Sequence, residues 1–128
     1  MILLDSRDRR PIYEQIIDKL SDLMMRGILT KDSPLPSVRS LAADLSINPN
    51  TVQRAYMELE RSGYIYSIKA KGSFVADITP LKEKEEDRLY EEMRTLAERA
   101  AGLGIPKEDF LEKAGRCYDE TEKKGERV

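Results

Sequence analysis

The sequence predicts a mainly α-helical fold carrying one small β-hairpin. Two short amphipathic helices are separated by only Ser46-Ile47, each opened by a capping residue, Ser37 and Asn48. A stretch rich in aromatic and β-branched residues, Tyr64-Ile65-Tyr66-Ser67-Ile68, follows directly. After the basic turn Lys69-Ala70-Lys71-Gly72, a strand returns over Ser73 to Ala76. Helix, tight turn, helix and hairpin, in that order, make a winged helix-turn-helix, which places one helix end in the DNA major groove. A short C-terminal helical region comes after it.

The first long helix starts behind Asp8-Arg9-Arg10-Pro11, where proline fits the first turn because its missing N–H is not needed there. Ile12, Tyr13, Ile16, Ile17, Leu20, Leu23 and Met24 form a stripe of 3.6-residue period. Gly27 supplies a left-handed stop. Ile28-Leu29 reads as a short strand pairing with the wing, and Asp32-Ser33-Pro34 as a turn. The second helix runs from Val38 to about Leu45. The third has Asn48 as its cap and Pro49 at its first position. Val52, Ala55, Tyr56 and Leu59 face its core. Asn50, Gln53, Arg54 and Met57 fall on the opposite side, and Gly63 ends it.

Thr79-Pro80 reads as a boundary, giving a winged-helix domain over residues 1–78 and a C-terminal region over 79–128. Leu81, Leu89, Met93, Leu96, Ala97 and Ala100 make a helical stripe from about 81 to 101. Gly102 to Pro106 breaks it. A second helix from Lys107 to about Thr121 carries Phe110, Leu111, Ala114, Cys117 and Tyr118 on one face, with Cys117 expected to be buried. Glu122 to Val128 reads as a frayed polar tail. These helices have too few apolar positions to enclose a ligand pocket of about 300 Å³. Two short helices cannot bury both apolar faces alone. A symmetric dimer through Leu89, Met93, Leu96, Phe110, Leu111, Ala114 and Tyr118 is therefore expected; packing onto the winged helix is the competing reading.

Composition bounds the chemistry. The 128 residues contain no histidine and one cysteine, which excludes histidine-based catalytic triads, an internal disulfide and most protein metal sites. No catalytic residue, cofactor or metal site is expected. Without a long apolar run or a basic leader, a cytoplasmic protein with no membrane partner is expected. The formal charge of −2 is low for a nucleic-acid binder, but its distribution is uneven. Residues 1–78 hold 11 basic against 10 acidic side chains, and 79–128 hold 11 against 14. Screening limits surface charges to about 10 Å, so local placement outweighs the total. Within 35–76 the basic residues are Arg39, Arg54, Arg61, Lys69 and Lys71.

The candidate DNA-binding residues follow from chemistry and position. Arg39 can make a bidentate contact to guanine or phosphate. Ser37 can donate to a phosphate beside the helix start. Asn48, Asn50, Thr51 and Gln53 lie at the start of the reading helix, where amides pair with adenine and the threonine methyl meets thymine. Arg54 suits phosphate; its bland alternative is an ion pair with Glu58. Lys69, Lys71 and Gly72 form the wing tip. Tyr56, Tyr64 and Tyr66 read as packing residues.

The blocks Pro11-Ile12-Tyr13-Glu14-Gln15-Ile16, Leu35-Pro36-Ser37-x-Arg39-x-Leu41-Ala42, Asn50-Thr51-Val52, Leu59-Glu60, Gly63-Tyr64-Ile65 and Gly72-Ser73-Phe74-Val75, in this order and spacing, resemble the DNA-binding domain of the GntR family of bacterial transcription regulators. The short C-terminal part resembles the YtrA subfamily, in which two helices replace a larger effector domain. The resemblance implies a homodimeric repressor of double-stranded operator DNA with two half-sites, often near transporter genes; it names no effector. It also implies an operator-contacting arginine at Arg39. Many members carry arginine where this chain has Pro49 and Gln53, so the relatives' operator sequence does not transfer. A winged helix used for protein interaction is the alternative, opposed by the polar Asn50, Gln53 and Arg54. An enzyme of the MocR type would need a further domain of some hundreds of residues.

Overall fold

The computed structural model describes residues 4–126. Five helices and one hairpin follow in order: α1 (Ile12–Met25), α2 (Val38–Leu45), α3 (Pro49–Arg61), β1 (Ile65–Ile68), β2 (Gly72–Val75), α4 (Thr79–Gly102) and α5 (Lys107–Glu126). The chain divides into two compact units that meet at Lys84 and Glu85.

The first unit is built on the α1 stripe. Ile16, Leu20 and Met24 are buried against Val52, Ala55, Tyr56 and Leu59 of α3 and Leu41 and Ala42 of α2. Ile65 and Val75 close the core from the hairpin. Each large side chain buried here contributes roughly 1.5–3 kcal/mol of transfer free energy, and this holds α3 at a set height above α1. Tyr56 lies in this core as expected. Its hydroxyl donates to the Pro36 carbonyl at 2.8 Å, and burial pushes its pKa up to about 12.

Gln15 is a polar member of this interior that the apolar pattern does not predict; only 2% of it is exposed. Its amide accepts from the Asp5 backbone N–H (3.2 Å) and donates to the Arg10 carbonyl (3.1 Å). The residues ahead of α1 are thereby tied down, with both ends of a buried amide satisfied.

Turn chemistry ends the helices. Gly27 (φ 75°) follows α1, and Gly63 (φ 89°) follows α3. Between α2 and α3 the left-handed residue is Ser46 (φ 55°), after which the Ile47 N–H returns to the Ala42 carbonyl at 3.0 Å. The wing register is Ile65 with Val75, Tyr66 with Phe74, Ser67 with Ser73 and Ile68 with Gly72. Its return strand therefore starts at Gly72, one residue before the predicted Ser73.

Four expectations are corrected. Ile28-Leu29 forms no strand, and Ile28 is 64% exposed. The segment that pairs with the wing lies further on: the Asp32 N–H donates to the Val75 carbonyl (2.7 Å), Val75 N–H to Ser33 (2.9 Å), and Leu35 N–H to Ser73 (2.9 Å). The apolar Ile28-Leu29 pair satisfies its own N–H groups on the Leu23 carbonyl instead, closing α1. Secondly, α4 starts at Thr79 and not at about residue 81: Asp77 accepts from the Thr79 N–H (3.0 Å) and hydroxyl (2.7 Å), and proline suits a first turn. Leu81 then lies half-buried beside Gly63. Thirdly, the polar stretch from Glu122 stays helical to Glu126, since it holds no proline and the lone Gly125 comes only at its end; Arg127 and Val128 lie outside the described residues. Fourthly, Cys117 is exposed, because among the described residues nothing in its unit covers that part of α5.

The second unit buries little. Of its described side chains only Ala100 is buried, and Phe110 is half-buried. Leu89 (58%), Met93 (53%), Leu96 (52%), Leu111 (57%) and Tyr118 (70%) remain exposed. Beside the Gly104–Pro106 turn lies an open cleft of about 450 Å³.

Candidate nucleic-acid interface

The candidate residues belong to three neighbouring parts of the first unit: the start of α2, the start of α3 and the wing. At α2, the Ser37 Oγ accepts from the Ser40 N–H at 3.0 Å. The cap uses only a lone pair, so the hydroxyl proton stays available to an outside acceptor. Arg39 is exposed in the first turn, and its guanidinium has no ion-pair or hydrogen-bond partner among the described residues.

At α3, the Asn48 Oδ1 accepts from the Asn50 N–H at 2.8 Å, and Pro49 needs no donor. This cap occupies the Asn48 side-chain carbonyl and leaves its amide N–H groups without a partner among the described residues. Asn50 and Gln53 are exposed with their amides unbonded among the described residues, and Thr51 is half-buried. Core burial of Val52, Ala55, Tyr56 and Leu59 sets the rotation of α3 and points the polar positions outward.

Arg54 behaves differently from the bland alternative. It does not pair with Glu58. Glu58 binds Arg61 at 2.6 Å, and that bond holds the Glu58 carboxyl below its usual pKa. The Arg54 guanidinium instead lies 3.8 Å from the centre of the Tyr13 ring, with Nη2 donating to the Tyr13 hydroxyl at 3.2 Å.

At the wing, the Lys71 N–H donates to the Ile68 carbonyl at 2.9 Å and closes the turn. Gly72 has φ 113°, which only glycine adopts easily. Ala70 is also left-handed, at φ 69°. Lys69 and Lys71 are exposed, with no partner among the described residues. Three backbone hydrogen bonds from residues 32–35 stiffen the hairpin, and the Tyr66 hydroxyl donates to Asp32 at 2.7 Å. That bond, made by the neutral phenol, raises the Tyr66 pKa. Tyr66 and Phe74 stack at 5.6 Å, so both are packing residues of the wing.

Between α3 and the wing lies an open groove of about 300 Å³, lined by Gln53, Met57, Ile68, Lys69 and Gly72 among others. Met57 (60% exposed) and Ile68 (41%) give it an apolar floor that charge and amide chemistry alone do not signal. Among the described residues no group of acidic, cysteine or histidine side chains can hold a metal, and no helix is long and apolar enough to cross a membrane.

Residues 12–75 match the family of bacterial regulatory proteins called the gntR family. The chain belongs to the GntR family. The HTH-type transcriptional repressor YtrA of Bacillus subtilis (strain 168) is 39% identical over 114 residues, covering 88% of each chain. GntR membership and this near full-length match make the protein a YtrA-like transcription regulator with a DNA-binding helix-turn-helix, and not an enzyme. A transcriptional regulator from Oenococcus oeni has a similar crystal structure: TM-score 0.69, 28% identity, covering 92% of this chain and 99% of that one. AraR(DBD) in complex with operator ORR3 is similar over 58% of this chain and 89% of the other, with TM-score 0.51 and 27% identity.

Proposed function

We propose that this GntR protein is a homodimeric, cytoplasmic repressor that reads a two-half-site operator with Arg39 and the start of α3, while the wing holds the flanking backbone or groove. Unneutralised donors on α2, α3 and the wing of one compact unit carry the reading. Arg39, Lys69 and Lys71 have no acidic partner among the described residues, and Asn50 and Gln53 have free amides. Arg61 of the same helix, by contrast, is bonded to Glu58. A partnerless set on one domain suits an anionic polymer. The repressor YtrA and the operator-bound AraR(DBD) support the same reading.

Dimerisation rests on the second unit, whose apolar side chains are exposed in the single chain. Leu89, Met93 and Leu96 on α4 and Leu111, Ala114 and Tyr118 on α5 are exposed and Phe110 of α5 is half-buried, and apolar side chains left uncovered in such number mark an interaction surface. A second copy offers the same apolar chemistry, and a symmetric pairing would bury both. We assign residues 1–84 to DNA binding and 85–128 to pairing, the pairing face beginning after the compact unit ends.

Selection of bound duplexes from a random pool, followed by footprinting, tests the proposal. A repeated motif in two half-sites is expected; no enrichment at low salt would overturn it. Lys71→Ala is expected to weaken all sequences alike and to lower the salt slope by about one unit. A loss confined to one sequence would place Lys71 on a base instead.

A further inference from the structure

We propose that Tyr13 is a positioning residue for DNA binding, holding the Arg54 guanidinium over its ring, outside any ion pair, at the outward side of α3. This rests on the operator reading above and assigns a role to a residue outside the helix-turn-helix and the wing.

The geometry has three parts. The Arg54 guanidinium carbon stands 3.8 Å from the Tyr13 ring centre, a face-on contact. The Tyr13 hydroxyl accepts from Arg54 Nη2 at 3.2 Å and donates to the Glu14 carboxylate at 3.3 Å. Glu14 thus orients the hydroxyl so that a lone pair, and not its proton, meets the arginine. Thirdly, Glu58, one turn away on α3, is hydrogen-bonded to Arg61 and feels the Arg54 charge only at longer range, as the smallest influence on its carboxyl.

The consequence is electrostatic. An arginine in an ion pair must give up its partner before it can bind phosphate. An arginine on a ring keeps its net charge, and of its five N–H donors the Tyr13 hydroxyl engages one group only. The stack also removes rotamer freedom before DNA arrives, so less entropy is lost on contact. Tyr13 is half-buried and fixed by α1, whose packing against α3 is part of the core. The α1–α3 core contact thereby sets the direction of a DNA-binding cation.

The test is a double-mutant cycle on the full chain with the selected operator duplex. Tyr13→Leu is expected to lower affinity roughly three- to tenfold. In the Arg54→Ala background the same change should cost less than about twofold. Tyr13→Phe, which keeps the ring face, should recover much of the loss. Equal losses in both backgrounds would make Tyr13 merely structural and overturn the inference. A second measurement needs no variant: the Arg54 side-chain proton resonances should be shifted upfield by the ring in the free protein and stay shifted in the complex. Loss of that shift on binding would show a stowed arginine, released rather than presented, and would also overturn it. Wild-type protein without any preferred duplex would bring down the operator reading itself, a result distinct from additive losses in a protein that does bind.

Discussion

A chain ending at Lys84 is expected to be folded, monomeric and roughly 10²–10⁴-fold weaker on a two-half-site operator than the full chain. Sedimentation and electrophoretic shift are the measurements. The cut belongs at Lys84 because the first unit runs that far: Asp77 caps α4, and Leu81 is half-buried beside Gly63. Cutting at residue 78 would remove those contacts and confuse instability with loss of pairing. The size of the effect is that of linked binding. When one unit has bound its half-site, the second binds at a high effective concentration, with no new contact needed. The truncated chain keeps every candidate DNA residue and loses only this linkage. Its affinity for a single half-site should therefore match that of a unit in the full protein. A truncated protein that still sediments as a dimer would refute the pairing role of α4 and α5.

Arg39→Ala is expected to abolish preference for the operator, with a loss of about 1–3 kcal/mol per site, and therefore twice that in a dimer. The melting temperature should stay within a few degrees, because the side chain is exposed and bonded to nothing among the described residues. Arg39→Lys should not rescue it fully, since a lysine cannot present the planar fork that matches guanine or phosphate. Anisotropy titrations of wild type and both variants against specific and random duplexes would separate the outcomes. An equal loss on both duplexes would move Arg39 from base reading to phosphate contact. No loss on either would remove it from the interface.

The helices of the first unit were legible in the sequence because their signals are local. The Ser37 and Asn48 caps, the proline at Pro49 and the stripe from Val52 to Leu59 each act within a few residues. Gly63 was legible for the same reason. The strand predicted at Ile28-Leu29 was misplaced because an apolar pair has no local marker of where its hydrogen bonds go. Pairing with the wing is made by Asp32 to Leu35, a turn-rich stretch whose strand character depends on a partner some 40 residues away. The polar faces of α2 and α3 were legible from helical period alone. The partner of Arg54 was not. Four-residue spacing pointed to Glu58, whereas Tyr13 lies 41 positions back in the chain. Cys117 was misjudged because an apolar stripe tells which face seeks burial and not whether the same chain provides the cover.

Sequence alone determined the family, the order of the helices and the hairpin, and which side of α3 faces outward, since capping and 3.6-residue periodicity are short-range effects written in neighbouring residues. Only the tertiary structure decided that Tyr13 holds Arg54, that residues 32–35 brace the wing, and that α4 and α5 leave their apolar residues uncovered. Those outcomes depend on which surfaces long-range packing brings within a few ångströms, and no local pattern encodes that distance.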